Sequence, residues 1–413
     1  MRTTPVVSGP RNGRPRGAVL LAAVLVAVLS ACAGEAAEDE APPAETTHYE
    51  GAGPGSLVSS ESFLQLDGSL RSDRYLSRRA WYRSTNSASQ APTEVSGSFF
   101  APAGKPPNGG FPVIVIAPGT TGAMSGCGPS NFPDLRGYGA GVLRYLKLGY
   151  AVAVPDYQGL GPGDPGKHPY LEADTAGYNV IDAVRALRQL YPQASARWVA
   201  TGGSAGGQAT WAANELAARY APELKLLGTA SISPPVDLTS LGAGLESTKA
   251  SARQRAYLPM LAISISSSHP DKAKLEDYLS PRAIDSLSVL AGCADPQGAA
   301  KDALLAALSA DDLGPRTRES AIVLQDWLAS TRLPQHKASA PMLIGWGGAD
   351  PIVPPASVEK AVREACALGS TVSTIYAADA GHDMKGVDRQ VQRWLRNRVD
   401  GDPAPDDCRA HEN

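Results

Sequence analysis

Short runs of consecutive apolar, β-branched residues recur along this chain, and between them apolar positions fall at helical spacing. Val113 to Ala117 (Val-Ile-Val-Ile-Ala) is such a run, with the continuous hydrophobicity of a strand buried on both faces. Tyr150 to Val154, Leu226 to Ile232, Met342 to Trp346 and Val372 to Ala377 read the same way. Helices are predicted over Gly139 to Lys147, Thr175 to Leu190, Pro355 to Cys366 and Val387 to Arg398. In the second of these, Val180, Ala183, Val184 and Leu187 form one apolar side. Trp81 to Ala101 alternates loosely around turn residues at Ser87 to Thr93, as an antiparallel hairpin at a sheet edge would. Alternating β and α segments with buried strands predict an α/β fold: a mostly parallel sheet with helices on both faces.

Residues 239–335 break that rhythm. Helical segments are expected around Thr248 to Leu261, Lys272 to Leu279, Lys301 to Leu308 and Arg318 to Ser330, with no clear strand. The sheet pattern resumes afterwards, so this stretch reads as a helical cap inserted into a core of residues 58–238 and 336–413. A cap at that point would cover the C-terminal ends of the strands, where open α/β sheets bind ligands.

The segment from Arg197 to Tyr220 carries the clearest chemistry. Apolar Trp198 and Val199 lead into Gly202, Gly203, Ser204, Ala205, Gly206 and Gly207, and an Ala-rich helical segment follows. Strand, sharp turn and helix around G-x-S-x-G form a nucleophile elbow. Its serine sits in a strained conformation, and small neighbours let strand and helix approach. Ser204 is the candidate nucleophile, and the backbone N–H of Ala205, at the helix N-terminus, is free to meet a developing oxyanion.

Serine is a weak nucleophile without a base, and the base needs an orienting carboxylate. Of the six histidines, His48 lies in the expected tether and His411 in the tail, and His269 and His336 lie in or beside the cap. His168 precedes the elbow and reads as structural. His382, in Asp379-Ala380-Gly381-His382-Asp383, follows the last predicted strand and is the candidate base. Asp350 follows the Met342 strand and is the candidate orienting carboxylate. Asp379 and Asp383 are nearer in sequence, but residues that close to His382 in one loop point away from it. Asp156 reads as a structural turn residue. A second oxyanion donor is expected in Pro118-Gly119-Thr120-Thr121-Gly122, from Thr120 or Thr121.

Composition changes the picture at the N-terminus. Arg2, Arg11, Arg14 and Arg16 precede an apolar core of about 13 residues, Gly17 to Leu29, too short for a comfortable membrane span. It ends in Leu29-Ser30-Ala31-Cys32, which resembles the lipobox of bacterial lipoproteins and makes Cys32 the expected lipidation site. Residues 1–32 are therefore read as a lipoprotein-type signal peptide. Ordinary cleavage with secretion is the alternative. Residues 33–57 hold six acidic residues and no Lys or Arg, and read as a disordered acidic tether to the membrane.

Beyond Cys32 the chain has Cys127, Cys293, Cys366 and Cys408, an even count that suggests two disulfides in an oxidising compartment. Three pairings are possible. Cys127–Cys293 is expected because it would staple the cap to the core, and Cys366–Cys408 because it would tie down the tail. A net charge of −3 and the lack of a basic stripe argue against nucleic acid as a partner. No ligand spacing points to a metal, and no cofactor is expected. The protein is expected to act as a monomer.

Further motifs add a family likeness. The elbow with Ala209-Thr210-Trp211-Ala212-Ala213-Asn214-Glu215-Leu216-Ala217 behind it is one. Cys127-Gly128-Pro129-Ser130, Val154-Pro155-Asp156-Tyr157-Gln158-Gly159, Asp350 through Val353-Pro354, and Gly381-His382 are others. Over roughly residues 60–400 the chain resembles the secretory lipases of the lipase A type, in the α/β-hydrolase superfamily. The resemblance implies Ser204, Asp350 and His382 as a catalytic triad, a helical cap, and activity on acyl esters including triacylglycerols. It also supports the Cys127–Cys293 pairing. Fungal members carry an acidic residue in the oxyanion loop where this chain has Thr120-Thr121, so activity here is expected to extend to neutral and alkaline pH. Two other readings remain: a serine peptidase of the same superfamily, and a non-catalytic lipid-anchored binding protein.

Overall fold

The computed structural model describes residues 45–63, 65–164, 167–239, 255–294 and 298–411. The signal peptide, Cys32 and the tether up to residue 44 lie outside the described residues. In chain order the core holds β1 (Thr46–His48), β2 (Leu57–Ser62), β3 (Tyr75–Thr85), β4 (Pro92–Pro102), β5 (Phe111–Ala117), α1 (Gly139–Lys147), β6 (Ala151–Pro155), α2 (Ala173–Leu190), β7 (Ala194–Gly203), α3 (Ala205–Tyr220) and β8 (Lys225–Ile232). The stretch expected to form the cap follows with helices α4 (Leu258–Ser268), α5 (Pro281–Asp285), α6 (Leu287–Leu290), α7 (Ala299–Ala307) and α8 (Arg318–Ser330). The core closes with β9 (Met342–Gly347), α9 (Pro355–Ala367), β10 (Val372–Ala377) and α10 (Asp388–Asp400).

The ten strands of the described residues form one sheet in the order β1-β2-β3-β4-β6-β5-β7-β8-β9-β10. Pairing from β6 to β10 is parallel, and pairing from β1 to β6 is antiparallel. Strand pleating explains why β5 is apolar throughout. Val113, Val115 and Ala117 pack with Val180, Val184 and Leu187 of α2 and Ala209 and Ala213 of α3. Ile114 and Ile116 point the other way, to Val142 and Leu146 of α1 and Trp394 and Leu395 of α10. This is the sheet covered on both faces that the hydrophobic pattern predicts.

The N-terminal edge differs from the sequence reading. The β3–β4 hairpin is not the sheet edge, because β2 and β1 lie outside it. The expected tether therefore stops short of residue 57: Thr46–His48 pairs with Ser59–Glu61, and Leu57 is buried beneath the sheet. β2 has apolar residues only at its start, Leu57 and Val58, followed by serines and a glutamate (Leu-Val-Ser-Ser-Glu-Ser), too weak a pattern to separate it from a polar linker. In the cap, the helix expected over Lys272 to Leu279 is only a 3₁₀ turn, Leu275–Asp277. The Asp277 carboxylate accepts the Lys274 N–H, and Leu279 bridges to Leu313 instead of continuing a helix. Residues 248–254 of the first expected cap helix lie outside the described residues, and α4 runs past its expected end to Ser268.

Both disulfides join the expected partners, Cys127 to Cys293 and Cys366 to Cys408. Asp156 is a structural group: it is fully buried and accepts hydrogen bonds from Ser96 Oγ, Ser130 Oγ and the Ser130 N–H. His168 is buried with its Nδ1 2.8 Å from the Gln158 carbonyl oxygen, and burial lowers its pKa to about 4.

Glu215, on α3, ties the segment between α8 and β9 to α3. Its carboxylate accepts from Trp211 Nε1 at 2.8 Å and from the N–H groups of Gln335 and His336 at 2.9 Å. Burial outweighs these bonds and raises its pKa from 4.5 to about 7. A raised folded-state pKa means stability that is fully present below the unfolded pKa and lost as pH rises through the folded one. Glu215 should therefore remove about 2 kcal/mol of stability between pH 5 and pH 7. His168 acts with the opposite sign, losing stability as pH falls from its unfolded value toward 4. Denaturant unfolding of the parent and of E215Q at both pH values isolates the Glu215 contribution, because His168 is common to both proteins. The parent should lose that much more than the variant on going from pH 5 to pH 7, and parallel curves would contradict this.

Candidate active site

β7 runs into α3 through Ser204, whose backbone sits at φ 55°, ψ −126°. That conformation is costly for a non-glycine residue and persists only when its surroundings impose it. Here they do. The Ser204 N–H donates to the Ile232 carbonyl at 2.8 Å, and the Gln208 N–H donates to the Ser204 carbonyl as α3 begins. Glycine is required on either side by close approach. A Cβ on Gly202 would lie 2.3 Å from the Gly206 oxygen, and one on Gly206 would lie 2.1 Å from the Ala117 oxygen. The Ala205 N–H opens α3, where amides have no intrahelical acceptor.

Asp350 and His382 leave the C-terminal ends of the neighbouring parallel strands β9 and β10. Their loops are joined by backbone bonds from Gly348 N–H to the Ala377 oxygen and from Ala349 N–H to the Ala380 oxygen. His382 Nδ1 lies 2.8 Å from Asp350 Oδ2. The Asp350 side chain is 2% exposed, and its other oxygen accepts from the N–H groups of Ile352 and Val353. Burial acts to raise the Asp350 pKa, but the His382 hydrogen bond and the two backbone donors outweigh it, so the carboxyl titrates below its ordinary range. Its contribution to stability is therefore present above the unfolded carboxylate pKa and lost as pH falls through the lower folded value. Asp379 and Asp383 are exposed, and neither is hydrogen-bonded to the His382 ring.

Ser233 joins the two halves of this arrangement, and the sequence reading missed it. It follows Ile232, which accepts the Ser204 N–H, and its own Oγ donates to the His382 carbonyl at 2.8 Å. Its N–H donates to the Gly345 oxygen of β9. One short segment thus holds both the serine and the histidine backbone. The only signal in the sequence was a serine at the end of a strand, before Pro234-Pro235.

The loop after β5 lies against the elbow: a Cβ on Gly119 would be 3.2 Å from the Gly203 oxygen and 3.8 Å from Ser204 Cβ. Thr120 Oγ1 is 2.8 Å from Tyr170 Oη. Thr121 is buried, and its carbonyl accepts from Ala294 N–H of the cap. Beside Ser204 is an apolar cavity of about 30 Å³, walled by Tyr170, Leu238, Leu261 and Val353 among others. Tyr257 and Ile352 line both this cavity and a larger one of about 370 Å³ under α7, where Leu305 and Leu308 face it. Among the described residues no group of three or more His, Cys, Asp and Glu side chains is arranged to hold a metal ion.

The model of the secretory lipase family matches residues 140–281, a span that includes the elbow. A protein of Mycobacterium tuberculosis described as a probable inactive lipase is 27% identical over 267 residues, covering 59% of this chain and 58% of its own length. A secreted triacylglycerol lipase of Malassezia globosa is 24% identical over 367 residues, covering 81% of this chain and 76% of its own. Candida antarctica lipase A in its closed state superposes with a TM-score of 0.68 at 20% identity, covering 85% of this chain and 84% of that one. The rice cell wall degrading esterase LipA of Xanthomonas oryzae superposes with a TM-score of 0.65 at 20% identity, covering 84% of this chain and all of that one. The chain thus has the α/β-hydrolase fold and the likeness to secretory lipases that its motifs carry, and family match and fold together support a lipolytic hydrolase.

Proposed function

We propose, from the premise that this is a secretory-lipase-like α/β-hydrolase, that it cleaves carboxylic esters of the acyl-glycerol type through an acyl-enzyme on Ser204. The observation that carries this reading is the 2.8 Å bond between His382 Nδ1 and the buried Asp350 carboxylate, in loops tied to the Ser204 elbow through Ile232 and Ser233. In this mechanism the Asp350 carboxylate holds the proton on Nδ1, leaving Nε2 of His382 to take the proton of Ser204 Oγ as it attacks the ester carbonyl. The Ala205 N–H and a threonine of the β5 loop hold the oxyanion. His382 then protonates the departing alcohol, and water activated by the same imidazole releases the acid. The apolar cavity walls suit an acyl chain, and movement of Tyr257 in the cap away from Ile352 in the core would join the two cavities.

A fluorophosphonate probe tests the reading directly. It should add one phosphonyl group to the protein, and peptide mass spectrometry should find it on Ser204. An unlabelled Ser204 would favour the non-catalytic reading. Labelling without turnover of any ester, from acetate to oleate, would favour a peptidase.

Two disulfides and the family likeness fit an exported protein, and a lipid on Cys32 would keep it at the outer face of the membrane. C32A should move the protein from the membrane fraction to the soluble fraction. An unchanged distribution would remove the lipid anchor from the reading.

A further inference from the structure

Three tyrosine hydroxyls from separate segments bind three successive residues of the loop after β5. Tyr157 Oη donates to the Pro118 carbonyl at 3.0 Å. The Gly119 N–H donates to Tyr138 Oη at 2.7 Å. Tyr170 Oη and Thr120 Oγ1 are 2.8 Å apart. The first two bonds fix the backbone beside Ser204. The third differs in kind, because it joins two side chains, and one of them, Tyr170, lines the cavity that Ser204 also lines.

We propose that Tyr170 is a positioning residue for oxyanion stabilisation. Its phenolic hydroxyl donates to Thr120 Oγ1 and so turns the Thr120 proton toward the oxygen of the tetrahedral intermediate on Ser204. The inference rests on the serine-esterase reading above and gives one threonine the donor role. Phenol is a stronger acid than an aliphatic alcohol, so in a shared bond the phenol is the better donor and the threonine oxygen the better acceptor. Tyr170 is buried, and burial keeps its hydroxyl protonated. A threonine oxygen that already accepts one bond is polarised and donates its own proton more strongly. Thr121 is placed differently. Its carbonyl is bound to Ala294, and the neighbouring Ala123 N–H donates to the Ala291 oxygen, so this part of the loop is anchored to the cap.

The test is a double-mutant cycle on p-nitrophenyl ester hydrolysis with Y170F, T120V and the double variant, with T120S and T121V alongside. T120V should lower kcat about 100-fold, the usual cost of one oxyanion donor, and Y170F by about 10-fold or more. KM should change by less than about threefold, because the interaction forms only in the transition state. T120S should restore most of the activity. The double variant should be no slower than T120V, since without the threonine hydroxyl the phenol has nothing to orient. A boronate that mimics the tetrahedral state should lose affinity for Y170F by the same factor as kcat, a readout that a merely structural tyrosine would leave unchanged. The proposal fails if Y170F retains kcat within twofold, if the two losses multiply, or if T121V alone carries the loss. If the parent protein hydrolyses no ester and Ser204 takes no label, the serine-esterase reading has failed first and this one falls with it. Normal activity in Y170F alongside an active parent would remove this inference alone.

Discussion

S204A should lower ester hydrolysis by roughly 10⁶-fold while leaving the fold intact. The size follows from the role: without its hydroxyl no acyl-enzyme forms, and the rest of the site retains only residual acceleration. Intact folding follows from how Ser204 is held. Its constraints are backbone bonds, from its N–H to Ile232 and from Gln208 to its carbonyl, and alanine keeps both. Alanine tolerates the positive φ no better than serine does, so the melting temperature should stay within a few degrees. S204G supplies the contrast. It should be equally inactive but more stable by about 1 kcal/mol, because glycine adopts φ 55° without strain. Substantial turnover by S204A, measured on protein free of contaminating esterase, would remove the mechanism.

D350N should lower kcat by about 10³- to 10⁴-fold with a modest change in KM. Asparagine has nearly the same shape, and its oxygen can still accept the N–H groups of Ile352 and Val353 that Asp350 Oδ1 accepts now. Its amide nitrogen would then face His382 Nδ1 and donate to it. That places the imidazole proton on Nε2, the atom required to accept the proton of Ser204. The imidazolium formed during attack would also lose its carboxylate counter-charge. The histidine itself should not move, because Ser233 Oγ and the Ala349–Ala380 bond hold its loop by the backbone. A D350N enzyme within tenfold of the parent would mean that another group orients His382.

Much of this arrangement could be read from local sequence. Two-sided burial makes a strand continuously apolar, and β5, β6 and β9 were visible for that reason. The elbow was visible because crowding between strand and helix excludes a Cβ at Gly202 and Gly206, which leaves a fixed spacing of small residues. Asp350 and His382 could be named as candidates because each follows a strand end. Other features left no local trace. β1 and β2 are polar edge strands whose pairing, not composition, makes them strands. The Lys272 to Leu279 stretch has the residues of a helix but is diverted by the pairing of Leu279 with Leu313.

The sequence alone therefore determined the alternation of strands and helices and the spacing of small residues around Ser204, and it named the candidate reactive side chains, because each of these depends on burial or sterics within a few neighbouring residues. Tertiary structure decided what these groups touch. The Asp350–His382 bond depends on β9 and β10 lying side by side. The brace from Ser233 to His382 spans 149 residues, and the hydroxyl pair of Thr120 and Tyr170 spans 50. A hydrogen bond of that reach leaves no periodicity in either partner's surroundings, so only the folded chain reveals it.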